Sequence, residues 1–92
     1  MVMCGSINGI LIVVHYIYVI RNSVDNRAYV GQTTDFAQRK AGHVYSAKRG
    51  DHRPLYQAMR EFGVDQFSFD IIEECNDPRI ASQREEHWVT HF

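Results

Sequence analysis

Five side chains of this 92-residue chain combine types and spacings that could do chemistry: Tyr18, Tyr29, Arg39, His43 and Glu85. A phenol both donates and accepts hydrogen bonds, but with an ordinary pKa of about 10 it moves protons near neutral pH only when its surroundings perturb it. A guanidinium is a planar fork that matches a phosphate with two parallel hydrogen bonds. Arg39 and His43 are four apart, so a helix stacks them on one face. Plotted at roughly 100° per residue, Glu85 falls in the arc that holds Ala81, Trp88, Val89 and Phe92. A carboxylate on the packing side of a helix is costly unless it is paired or bound to a metal. A buried ion pair with an arginine accounts for it as well as a metal does. Each feature also has a plain reading, since strand tyrosines usually pack and Arg/His pairs on helices usually face solvent.

The elements that must position these groups can be read from local signals. Tyr16–Gly31 reads as two β-branched and aromatic runs around Asn22, Ser23, Asp25 and Asn26, which predicts antiparallel strands over 15–21 and 27–31 joined by a turn. Period-two alternation puts Tyr16, Tyr18 and Ile20 on one face and Ile17, Val19 and Arg21 on the other. Gly31 is expected to end its strand, where the backbone bends or a ligand approaches closely. Asp35 caps a predicted helix from about 36 to 49, with Gly50 just beyond it. Pro54 opens a second helix that stops at Gly63, with Leu55, Ala58, Met59 and Phe62 as core. Gln66–Glu73 alternates as a third strand, and Asn76-Asp77-Pro78 caps a last helix reaching about His91. The fold class is α/β in the α+β sense: a small three-stranded antiparallel sheet flanked by helices.

Hydrophobic content of 45% and aromatic content of 12% describe a folded globule, and the length fits one domain. Cys4 and Cys75 have no Cys-x-x-Cys spacing and read as free thiols in a reducing, cytoplasmic compartment. The five histidines and two cysteines show no zinc-finger or metalloprotease spacing. The apolar run before the first strand is broken by His15 and is shorter than the roughly 20 residues of a membrane span. It also lacks the basic start and cleavage site of a signal peptide. Residues 1–14 are read as an N-terminal extension and 15–92 as the domain. The net charge is −1, yet it segregates: residues 35–60 carry six bases and two acids, whereas 61–92 carry two bases and eight acids. The basic middle suits phosphates, or is one of two solvated helix faces of opposite sign. Non-specific affinity for DNA is expected to be weak, because few phosphates can be neutralised.

Ile17-Tyr18 followed by Tyr29-Val30-Gly31 resembles the paired motif of the GIY-YIG nuclease family. The resemblance continues through Gln32-Thr33, Asp35-Phe36, Arg39, His43, Leu55-Tyr56-Gln57-Ala58-Met59, Phe62-Gly63, Phe67-Ser68-Phe69 and Arg84-Glu85-Glu86-His87-Trp88. It implies a Mg²⁺-dependent (or Mn²⁺-dependent) hydrolase that cuts DNA phosphodiesters, most like the catalytic part of phage or intron homing endonucleases. Tyr18 would be the general base on water, Tyr29 would orient water and substrate, and Arg39 would hold the phosphate. His43 would assist by hydrogen bonding, and Glu85 would bind the metal. His52, and beside Arg39 also Lys40, are further substrate-binding candidates. DNA is the implied partner, with no membrane, and a separate DNA-binding domain would lie outside these residues. Two departures stand out. Tyr16 occupies the position of the family's first glycine and is expected to narrow the approach to Tyr18. The asparagine that the family often carries beyond its last helix would fall after Phe92, and activity would be reduced without it. The competing reading is a catalytically weak or inactive nucleic-acid-binding module that keeps the nuclease fold.

Overall fold

The eight residues His15–Asn22 form the central strand of a three-stranded sheet, and Tyr16 to Ile20 within it are buried on both faces. The computed structural model describes residues 4–7 and 10–92, with side chains from Val13 onward. In chain order the elements are β1 (Cys4–Ile7), β2 (Ile10–Val13), β3 (His15–Asn22), β4 (Ala28–Thr33), α1 (Phe36–Lys48) and α2 (Pro54–Phe62). A 3₁₀ turn (Val64–Gln66), β5 (Phe67–Cys75) and α3 (Pro78–His91) complete the chain. β1 and β2 pair with each other as a separate hairpin. The cysteine reading for Cys4 lies outside the described side chains, while Cys75 is a buried free thiol.

The sheet order is β4-β3-β5, antiparallel throughout, so β4 and β5 are its edges. The turn from β3 to β4 is built by side chains that hold their own backbone. Asn22 Oδ1 accepts from the Val24 N–H and Asp25 Oδ1 from the Arg27 N–H, each at 3.0 Å. Asn26 takes the left-handed conformation (φ 63°) that asparagine tolerates better than most residues. Helix limits follow their breakers. Asp35 accepts from the Gln38 N–H, Gly50 stands at φ 91°, Pro54 begins α2, and Gly63 at φ 92° ends it. Asp77 accepts from the Arg79 N–H and opens α3.

Alternation along β3 divides the interior in two. Tyr18 and Ile20 pack with Ala47 of α1, with Tyr56, Ala58 and Met59 of α2, and with Phe67. Ile17 packs on the opposite face with Cys75 and Ala81, backed by Val30, Ile72 and Trp88. The chain is therefore a three-layer stack: α1 and α2, then the sheet, then α3. Met59 is 1% exposed in the first layer. Met59→Ala should cost about 2–5 kcal/mol and lower the melting temperature by on the order of 10 °C or more, which a thermal melt followed by circular dichroism would read.

Three expectations are corrected. The second strand does not end at Gly31 but runs to Thr33, because Gln32 and Thr33 still pair with Ile17 and Tyr16. The third strand begins at Phe67 after the 3₁₀ turn and reaches Cys75, with a register irregularity opposite Ile17 and Tyr18. Val89 and Phe92 are 55% and 44% exposed rather than core. Ala81 and Trp88 make the seam of α3, and its last turn packs on itself, Phe92 stacking on Trp88 and lying under the Arg21 guanidinium.

Candidate active site

Tyr18 sits on the central strand directly across from Gly31, and its ring lies over that glycine. A Cβ built at Gly31 would meet Tyr18 Oη at 2.5 Å and Cζ at 2.6 Å. The glycine therefore serves a close approach inside the strand, not a bend at its end. Tyr18 is 5% exposed and walled by the ring of Phe36. Its hydroxyl is 2.8 Å from His43 Nε2, so the second turn of α1 reaches the sheet through this bond. His43 Nδ1 is 2.9 Å from the hydroxyl of Tyr56 on α2. The three side chains form one continuous hydrogen-bonded row.

Electrostatics act on this row from both sides. Burial pushes the Tyr18 phenol above its usual value, the Arg39 guanidinium pulls it down, and Tyr56 and Glu85 push it up. His43 is pulled below the usual imidazole range, chiefly by burial and further by the Arg39 and Arg53 cations. At neutral pH the resting pair is a phenol facing a neutral imidazole. Sequence reasoning required a phenol perturbed downward, but here the shift is upward, because an enclosed ring loses the water that would stabilise its anion.

Arg39 lines an open cleft of about 370 Å³ with Thr33, Thr34, Asp35, Gln38 and Gly42, where β4 hands over to α1. Among the described residues it has no ion-pair partner, unlike Arg53 and Arg49, which are drawn to Asp51. Glu85 is half-buried on α3, and its Oε1 accepts a 3.5 Å hydrogen bond from Gln32 Nε2. Among the described residues it too has no cationic partner. The arginine beside it, Arg84, is held by Glu73 through two bonds of 2.7 and 2.9 Å, and Trp88 Nε1 donates to the same carboxylate at 3.2 Å. The ion pair that sequence reasoning weighed for Glu85 thus belongs to Glu73, while Glu85 keeps its charge unmatched.

Tyr18 over Gly31 and Glu85 against Gln32 approach two consecutive residues of the edge strand from opposite faces of the sheet, close enough for the Glu85 charge to act on the phenol. Tyr29, two residues before Gly31 on the same face, is half-buried against the cluster that holds Tyr18. Two candidates lie apart from this gathering. Lys40 points its Nζ over the ring of Phe69 on the far strand, 5.2 Å from the ring centre. His52 is exposed in the α1–α2 loop, where its carbonyl accepts from Gln57. Tyr16 is 4% exposed and enclosed within the fold. Sequence reasoning missed Tyr56 and Gln32. The hint for Tyr56 was a phenol on the buried side of a helix, which needs a partner for its hydroxyl.

The donor set fits one kind of metal. A lone, half-buried carboxylate such as Glu85 suits a hard divalent ion that retains most of its waters. Among the described residues no three His, Cys, Asp or Glu side chains gather to hold a metal. No helix among the described residues is long and apolar enough to cross a membrane.

Known proteins resemble this chain in sequence and in fold. It is 30% identical over 76 residues to Intron-associated endonuclease 1 of Enterobacteria phage T4, a match covering 79% of this chain and 31% of that protein. It is 33% identical over 60 residues to an MSV199 domain-containing protein of Invertebrate iridescent virus 6, covering 64% of this chain and 24% of the relative. The chain thus spans about a third or less of either. The catalytic domain of the homing endonuclease I-TevI superposes with a TM-score of 0.76 at 28% identity, over 84% of this chain and 86% of that one. A variant of that catalytic domain with a glutamate replaced by alanine superposes equally well, at 27% identity. The model of the GIY-YIG catalytic domain matches residues 14–92, and the chain belongs to that family.

Proposed function

We propose that this domain is a DNA endonuclease that hydrolyses phosphodiester bonds with a divalent cation, Mg²⁺ or Mn²⁺, held by Glu85. The observation that carries this reading is the pairing of an unmatched guanidinium and an unmatched carboxylate around one buried phenol. That is the inventory phosphoryl transfer requires: a group to take a proton from water, positive charge for the phosphoryl oxygens, and a ligand for a hard cation. Both relatives named as endonucleases support it.

Arg39 faces the open cleft and binds the scissile phosphate through its fork of N–H donors. Tyr18 Oη accepts the proton of the attacking water while its own proton passes to His43 Nε2, 2.8 Å away. The hydroxide oxygen bonds to phosphorus and the 3′ oxygen leaves. As the P–O3′ bond breaks, the 3′ oxygen takes a proton from water, the His43 imidazolium gives its proton to the hydroxide so formed, and Tyr18 ends as a phenol beside a neutral imidazole. Tyr29 faces the same side and orients water and substrate. A divalent cation would be held by Glu85 and, when bound, would supply charge stabilisation for the leaving oxygen. His52 in the exposed loop and Lys40 over Phe69 bind the substrate backbone beside the scissile phosphate. A separate DNA-binding domain outside these residues completes the proposal.

Supercoiled plasmid is the direct test. Nicking or linearisation should appear with Mg²⁺ and vanish with EDTA. Arg39→Ala should lower the rate by about 10²–10³-fold, the effect of losing one preorganised oxyanion-stabilising group. Absence of cleavage by the purified wild type at high enzyme concentration would instead support a binding module that retains the fold.

A further inference from the structure

The row Tyr18–His43–Tyr56 leaves one choice open that decides how it works. A neutral imidazole carries a single N–H, and its position is set by the hydrogen bond that the other nitrogen makes. Only with the proton on Nδ1 does Nε2 present a lone pair to the Tyr18 hydroxyl. In the opposite form Nε2–H donates to the Tyr18 oxygen and His43 cannot take its proton.

We propose that Tyr56 is a positioning residue: its hydroxyl oxygen accepts from His43 Nδ1–H, holds the imidazole in that form, and so makes Nε2 the proton acceptor for Tyr18. This rests on the reading of Tyr18 as the base. Three observations carry it. Tyr56 Oη lies 2.9 Å from Nδ1 while Tyr18 Oη lies 2.8 Å from Nε2, so both ring nitrogens are engaged and the ring cannot rotate without losing both bonds. Tyr56 is 7% exposed, and its ring is held from the other side by the Arg53 guanidinium, 5.1 Å from the ring centre. His43 is also wedged against the rings of Tyr18, Tyr56 and Phe69. Burial and the Arg39 and Arg53 cations keep the imidazole neutral, which is the condition under which the choice matters.

Tyr56 stands on α2, in the helix turn that sequence analysis treated only as core. Its hydroxyl is the feature that packing alone does not require. Phenylalanine would fill the same space and leave Nδ1–H without an acceptor, so the proton would shift to Nε2, where Tyr18 can accept it.

The experiment is ¹⁵N–¹H correlation spectroscopy of the histidine rings at neutral pH, on the wild type and Tyr56→Phe, paired with plasmid cleavage. The expected result is Nδ1–H on His43 in the wild type, Nε2–H in Tyr56→Phe, and a fall in kcat of about tenfold to a hundredfold at unchanged KM. Wild-type His43 protonated at Nε2 would overturn the proposal, as would a Tyr56→Phe protein that keeps Nδ1–H and wild-type kcat. The wild-type spectrum decides even if the variant folds poorly. Tyr18→Phe cleaving at the wild-type rate would refute the base assignment, an outcome independent of where the His43 proton sits.

Discussion

Glu85→Gln should abolish metal-dependent cleavage, lowering the rate by about 10³-fold or more while leaving the metal-free melting temperature unchanged. The magnitude follows from losing several kcal/mol of charge stabilisation on the leaving oxygen, at 1.36 kcal/mol per factor of ten. Glutamine keeps the shape of the side chain and an oxygen that can still accept from Gln32, so packing is preserved. The sign of the electrostatics makes the test sharp. The Glu85 charge, after burial and Tyr56, is among the causes that raise the Tyr18 phenol. Removing it moves Tyr18 toward easier ionisation, so a purely electrostatic role would make the variant faster. A large loss therefore reports the ligand. Thermal melts give a second readout: millimolar Mg²⁺ should raise the wild-type melting temperature and leave that of Glu85→Gln unmoved, because only a state that binds is stabilised. Undiminished cleavage by the variant would place the cation elsewhere.

Gly31→Ala should be strongly disruptive: among the glycines at 31, 42, 50 and 63, an added Cβ meets another atom within 4 Å only here. Its φ is not in the left-handed region, so alanine meets no backbone strain, and the whole effect is steric. The added Cβ would come within 2.5 Å of Tyr18 Oη and 3.0 Å of Cε1. Contacts that short oblige the ring to move. A tyrosine on the surface would swing aside at little cost, but this one is packed against Phe36 and His43. It moves only by breaking the bond to His43 Nε2 or by distorting the strands. Overpacking of this kind costs about 1–3 kcal/mol. With Tyr18 as the proposed base, its misplacement by about 1 Å should lower the rate about 10²-fold. Cleavage within a few-fold of wild type, with the variant well folded, would show that Tyr18 is not seated through Gly31.

Most of the elements were legible because their limits are local. Asp35, Gly50, Pro54, Gly63 and the Asp77-Pro78 pair each act within one turn of themselves, and the structure places the helix ends at these residues. The family motif was legible for the same reason, as residue types in order. What could not be read depends on residues far apart in the chain. Alternation along β3 assigned faces correctly, but nothing local says that both faces are covered. The strands overran their expected ends because pairing, not composition, decides where a strand stops. Val89 and Phe92 shared the helical arc of Trp88, but how far the sheet extends beneath α3 is not written in α3. The partner of Arg84 proved to be Glu73, eleven residues earlier and on another element. Tyr56 needed α1 and α2 to be docked before its hydroxyl had a meaning.

The three-layer stack has a consequence for how the site can fail. Tyr18, His43, Tyr56 and Arg39 belong to the sheet and the α1–α2 layer, whereas Glu85 is delivered from the opposite side by α3. Local opening is common where few apolar contacts hold an element and its turns face solvent, as they do at Val89 and Phe92 at the end of α3. A momentary release of α3, letting go of Ile17, Cys75 and the Glu73 clamp on Arg84 and Trp88, would carry the carboxylate away without disturbing the proton relay. The fraction of molecules competent at any instant is then the docked fraction of one helix. With Glu85 as the metal ligand we propose, the opening free energy of α3, rather than the global stability of the domain, would set the competent fraction of a sample.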